Sequence, residues 1–169
     1  MNDPAIINCF VRAGLETFEA ELQVTIERGT VTLTKPEDPG KPVIGLIGVT
    51  GDLEGMISLG VTRETACAIA GSLMGEEMTE VTPLVESAIG EMCNVVAGRA
   101  TLLLNDIGQH LDITPPVIIM GDDLKMSMGG VPRLTVPFHT PFGDVEMKIA
   151  YHARTKDEAP SALHVAART

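Results

Sequence analysis

The chain has 169 residues, with 23 Asp plus Glu against 12 Lys plus Arg, a formal net charge of -11 at pH 7, and 44% apolar but only 3% aromatic residues. That length suits one domain able to bury roughly 70% of its unfolded surface, with a core of Val, Ile, Leu, Met and Ala and no Trp to stack on. The charge leaves no basic footprint for a phosphate backbone, so nucleic acid is excluded as a partner.

The opening stretch MNDPAIINCF lacks the basic region and long apolar run of a signal peptide, and charged or glycine residues interrupt every apolar run before membrane-spanning length. A cytoplasmic, soluble protein without a membrane partner is expected. Asp3-Pro4 reads as a cap followed by proline at the first helical position, and Ile7, Phe10, Val11, Gly14, Leu15, Phe18 and Leu22 then give a helix one buried face. VTIERGTVTL alternates like an exposed strand, and KPEDPGKP is a connection. VIGLIGV and EGMISLGV form a hairpin turning near Gly51-Asp52. Thr62 caps a short helix, RETACAIAGSLM, that Gly75 ends. A long helix begins at Thr82-Pro83 and runs to about Gly108. PPVIIMG is extended, and VPRLTVPFHT with GDVEMKIAYH forms a second hairpin. Helix, strand and hairpin thus occur twice, as in a weak internal duplication, and the mixture predicts an α+β layer architecture. The expected domain covers residues 1–154, with a surface-lying or mobile tail over 155–169.

Counted at about 100° per residue, Val85, Ile89, Met92, Val96, Leu103 and Ile107 share one side of the long helix. Ser87, Glu91, Asn94, Gly98, Thr101 and Asn105 share the other. A polar helix face is ordinarily just solvated. Here its composition argues for a task, because Asn and Gly cost up to about 1 kcal/mol each relative to Ala in a helix. Asn94 and Gly98, beside Gly90 and Ala97, make a low-relief face that another backbone can approach closely.

The stretch ESAIGEMCNVVAGRA, with Ser87, Glu91 and Asn94 meeting the pattern [DS]xxxExxN, resembles the signature helix of the CheC, CheX and FliY chemotaxis phosphatases. GLIGVTGDLEGMISLGVT, MGEEMTEV, GRA and GVPRLTVPF are similar to CheX-type segments in order and spacing, over roughly residues 5–151. The resemblance implies a pseudo-symmetric α+β fold, an antiparallel sheet with long helices packed on it. It also implies hydrolysis of the aspartyl phosphate of a phosphorylated CheY-like response regulator in chemotaxis or a related two-component pathway. The first helix has no ExxN, which favours the single-site CheX type. Pro115 and Pro116 stand slightly early for the proline that follows Asn in the CheC-type pattern.

On that resemblance Glu91 and Asn94 are the catalytic pair, and Ser87, Gly90 and Gly98 border the partner. A carboxamide can accept from the attacking water and donate to a phosphoryl oxygen, which suits Asn94 to orient the water. Glu91 would ion-pair with the lysine beside the partner's phosphorylated aspartate. No cofactor of its own is expected; Mg²⁺ would belong to the phosphorylated partner. The apolar PPVIIMG segment, with its prolines, suits an edge strand that pairs in a homodimer. The alternative function is a non-catalytic module of the same fold that docks a receiver domain or flagellar switch component.

Other features carry no expected chemistry. Cys9, Cys67 and Cys93 have no CxxC spacing and read as reduced, buried thiols. Cys93 lies on a different helix face from Glu91 and has no His within one turn. His110, His139, His152 and His164 lack ligand spacing and nearby acidic residues, so no metal site is expected. Gly121 to Asp123 reads as a polar turn.

Overall fold

Caps set the ends of the helices. The computed structural model describes residues 3–35, 38–127 and 129–154. The first helix, α1, runs Pro4–Leu22, with the Asp3 carboxylate accepting from the Ala5 N–H. α2 runs Arg63–Met74 between the Thr62 hydroxyl, which accepts from the Thr65 N–H, and Gly75 in the left-handed region at φ 71°. α3 runs Pro83–Asp106, with the Thr82 hydroxyl accepting from the Val85 N–H at 3.4 Å. These side chains satisfy amide groups that the first helical turn leaves without partners.

The strands are β1 (Glu27–Arg28), β2 (Thr32–Thr34), β3 (Val43–Gly51), β4 (Leu53–Val61), β5 (Leu111–Ile113), β6 (Val117–Met120), β7 (Arg133–Thr140) and β8 (Gly143–Ala153). Both expected hairpins form, β3 with β4 and β7 with β8. Their tight turns carry glycine at positive φ, Gly51 at 119° and Gly143 at 122°, a region that side-chain-bearing residues disfavour. The exposed strand read in VTIERGTVTL is broken into the short pieces β1 and β2. The expected tail over 155–169 lies outside the described residues.

All strand pairs are antiparallel, and the order across the sheet is palindromic. β4 and β8 pair at the centre, flanked by β3 and β7. The outer positions are exchanged between the halves: β1 and β2, from the first half, pair with β7, and β5 and β6, from the second, pair with β3. This is the pseudo-symmetric α+β fold expected.

The long helices lie against the sheet and against each other. Phe10 of α1 meets Tyr151 with ring centroids 5.9 Å apart, and Phe18 meets Phe138 at 5.7 Å. Gly14 lets α1 settle, since a Cβ there would stand 2.9 Å from the Phe138 ring. With few aromatics available, the rest of the core is aliphatic: Ile47, Leu53, Ile69, Leu104, Met147 and Ile149 are among its fully buried side chains.

Candidate functional site

α3 packs on β3, β4, β5 and β6, and on α1 and α2. Its inward residues include Val85, Ala88, Ile89, Met92, Cys93, Val96, Ala97, Ala100 and Leu104. This stripe is wider than the sequence count gave, because helices cover α3 on one flank and strands on another. Leu103 is half-buried against the core as expected. Ile107 is not: it is 46% exposed, because the helix ends at Asp106 and Ile107 only caps it.

The outward stripe holds the candidate pair. Ser87, Glu91 and Asn94 are all exposed, and residues three apart on a helix place their Cβ atoms about 5–6 Å from each other. Among the described residues, no hydrogen bond or ion pair occupies the Glu91 or Asn94 side chain. A carboxylate and a carboxamide therefore face solvent side by side, held by a backbone whose other side is locked in the core. Thr101 and Asn105 continue toward the C-terminus. Thr101 turns its hydroxyl back to the Ala97 carbonyl at 2.9 Å, and Asn105 Oδ1 lies 2.6 Å from His110 Nδ1.

The three glycines near the pair have different roles. Gly98 is half-exposed and a Cβ there would meet nothing within 4 Å, which leaves a flat, open step one turn beyond Asn94. Gly90 is buried, and a Cβ there would stand 3.7 Å from both Pro116 and Ile118. The segment leading into β6 covers it from that side. Gly45 of β3 went unremarked in the sequence, yet any Cβ there would collide with Cys93 Sγ. Its bareness lets α3 lie close to the sheet directly behind Glu91 and Asn94.

This two-sided character has a measurable consequence. Met92→Ala and Val96→Ala, at almost wholly buried positions, are expected to lower unfolding free energy by about 1–4 kcal/mol each. Glu91→Ala and Asn94→Ala, at exposed positions, are expected to change it by less than about 1 kcal/mol. Denaturant melts of the four variants check the ranking.

The remaining polar features stay apart from the pair. Cys9, Cys67 and Cys93 are free and buried, and burial pushes the Cys93 thiol up to about 12. It is a packing group rather than a nucleophile. Two histidines do have acidic neighbours, contrary to the sequence reading, because antiparallel register supplies them. His139 Nδ1 lies 2.8 Å from Asp144 Oδ1, and His152 Nε2 lies 3.8 Å from Glu54. Among the described residues no group of three or more His, Cys, Asp or Glu is placed to hold a metal ion; His164 lies outside them. Asp122 pairs with Arg63 at 3.0 Å and Asp123 adopts φ 54°, as in a turn.

The family model described as chemotaxis phosphatase CheX matches residues 43–139, from β3 into β7 and across the whole of α3. The CheY-P phosphatase CheX of Thermotoga maritima is 32% identical over 130 residues, covering 76% of this chain and 84% of the relative. The chain belongs to the CheX family. Among solved structures, a CheC-like superfamily protein from Shewanella sp. PV-4 superposes with a TM-score of 0.82 at 23% identity, covering 90% of this chain and 100% of the other. CheX from Borrelia burgdorferi, in a complex with CheY, BeF3 and Mg²⁺, superposes with a TM-score of 0.76 at 31% identity, covering 86% of this chain and 96% of the other. The CheX-family resemblance read from ESAIGEMCNVVAGRA thus holds over most of the fold.

Proposed function

We propose that this CheX-family protein hydrolyses the aspartyl phosphate of a CheY-like response regulator, with Glu91 and Asn94 as the working pair. The observation that carries this reading is their joint exposure on one stripe of a helix whose opposite side is fixed in the core. The Thermotoga relative, a CheY-P phosphatase, and the Borrelia complex with CheY and BeF3 support it.

Hydrolysis of an acyl phosphate needs a water aligned with the breaking P–O bond, and the carboxylate of the regulator's aspartate leaves without protonation. The phosphoryl group requires positioning and charge stabilisation more than covalent help. Asn94 accepts a hydrogen bond from the water through its amide oxygen and donates one to a phosphoryl oxygen through its NH₂, and the released phosphate carries away the water's protons. Glu91 pairs with the lysine next to the phosphorylated aspartate and sets the docking register. Mg²⁺ arrives with the regulator, and Ser87 and Gly98 border it. Phosphate release from a phosphorylated CheY-like receiver, with and without the protein, is the direct test. Release no faster than the receiver's own decay refutes the reading.

We take the protein to act in the cytoplasm beside that regulator. No helix among the described residues is long and apolar enough to cross a membrane. We also expect a homodimer joined at β6. This strand pairs with β3 along one edge, while Val117 and Met120 are exposed, and an unpaired apolar edge is a template for a second chain. Light scattering at micromolar concentration is expected to give twice the monomer mass of 17.9 kDa; a monomeric mass removes the claim.

A further inference from the structure

Leu102 is 70% exposed and Leu84 is 49% exposed, and among the described residues neither packs on the hydrophobic core. A lone exposed leucine is ordinary; the placement of these two is not. At about 100° per residue, positions 84, 87, 91, 94, 98, 102 and 105 of α3 fall within an arc of about 80°. Leu84 therefore stands about 10 Å before Glu91 along the axis, and Leu102 about 12 Å beyond Asn94, on the same line of sight. Between them the stripe carries Ser87, Gly98 and a single charge, Glu91. A helix face selected only for solvation favours several Lys and Glu.

The fold supplies its own control. α1 is the counterpart of α3 in the palindromic arrangement. Its exposed positions include Asn8, Arg12 and Glu21, while Ile7, Val11 and Leu15 are half-buried against the core. Among the described residues α1 has no exposed large hydrophobic side chain. The two leucines thus belong to the helix that bears the Glu–Asn pair, and to the pair's own stripe.

We infer that Leu84 and Leu102 are apolar anchors that seat the phosphorylated receiver domain over Glu91 and Asn94, an assignment that rests on the phosphatase reading above. A domain of about 100 residues has a radius of gyration of about 13 Å. One brought close enough for its phosphoryl group to touch Asn94 covers the helix far enough to reach both leucines. Gly98 and Ser87 keep the ground between them low, so both contacts can close at once. Burial of the leucines is complete in the encounter complex and does not change as the P–O bond breaks. It stabilises ground and transition states alike, which lowers KM and leaves kcat untouched.

The test uses Leu84→Gln, Leu102→Gln and the double variant, since Gln keeps length and helix propensity close to those of Leu. Leu33→Gln is the control, at a 62% exposed leucine on β2, at the far edge of the sheet from β5 and β6. Two quantities are read: turnover on the phosphorylated receiver, and Kd for the same receiver carrying beryllofluoride. Each α3 variant is expected to raise KM and Kd about tenfold, with kcat at saturation within about twofold and the melting temperature unchanged. Leu33→Gln is expected to match the parent protein. Unchanged Kd in the double variant overturns the inference, and so does a fall in kcat without a rise in KM. A change of oligomeric mass with Kd intact also overturns it, by giving the face to a second copy of the chain. If the parent protein binds the receiver but releases no phosphate, the phosphatase reading fails while the Kd values still judge the anchors. If it binds no receiver, both fall.

Discussion

Asn94→Ala is expected to lower turnover of the phosphorylated regulator by about 10² or more, while affinity for the beryllofluoride form stays within about twofold. The reason lies in timing. The contacts to the attacking water and to the phosphoryl oxygens reach their full strength only as the P–O bond breaks and charge moves to the leaving carboxylate. A donor and acceptor aimed at that moment contributes little to the resting complex. Asn94 is exposed, so its truncation leaves no buried group without a partner and the fold survives the change. Parallel single-turnover and binding measurements separate the two quantities. An Asn94→Ala protein with undiminished turnover would sink the mechanism and favour a docking module without catalysis.

Glu91 is expected to behave otherwise. On the proposed reading it would hold a cation that the regulator brings, before and during the reaction, so Glu91→Ala should weaken docking as well as slow the rate. Glu91→Lys should be worse, with affinity lower by about 10- to 100-fold, because it brings two cations together where the parent protein pairs opposite charges. Glu91 is exposed in the free protein, so salt screens the approach of the regulator's lysine. The defect of the Lys variant should shrink as ionic strength rises, because screening relieves its repulsion. Titration of the beryllofluoride regulator at low and high salt checks both points; an Glu91→Lys protein that docks normally removes the register role.

What the sequence made legible was mostly local. Thr62 and Gly75 mark both ends of α2, and Thr82-Pro83 marks the start of α3, since caps act within one turn of the chain. Glu91 and Asn94 are on an exposed stripe because helical periodicity is a local rule as well. Ile107 was misassigned where that rule stops, at the cap beyond the last regular turn. The burial of Gly90 was not legible for a different reason. What covers it is Pro116 and Ile118, which reach it only through the pairing of β6 with β3. The acidic neighbours of His139 and His152 also come from strand register. Gly45 showed no signal in its own strand, because its importance lies in the Cys93 side chain of another element. The same helical periodicity that puts Asn94 on the exposed stripe puts Leu84 and Leu102 there too.

The exchange of outer strands sets the order in which the molecule can be completed as it leaves the ribosome. β1 and β2 are made early, but their partner β7 is among the last segments synthesised. A nascent chain that has just finished α3 has its β3–β4 hairpin, yet lacks β8 beside β4 and both β5 and β6 beside β3. Each half of the pseudo-symmetric fold supplies the outer strands of the other, so neither half of the sheet is complete without the other. Such pairing over long stretches of sequence slows folding and leaves strand edges bare meanwhile. The helix bearing Glu91 and Asn94 is thus synthesised well before the sheet that fixes its position is whole.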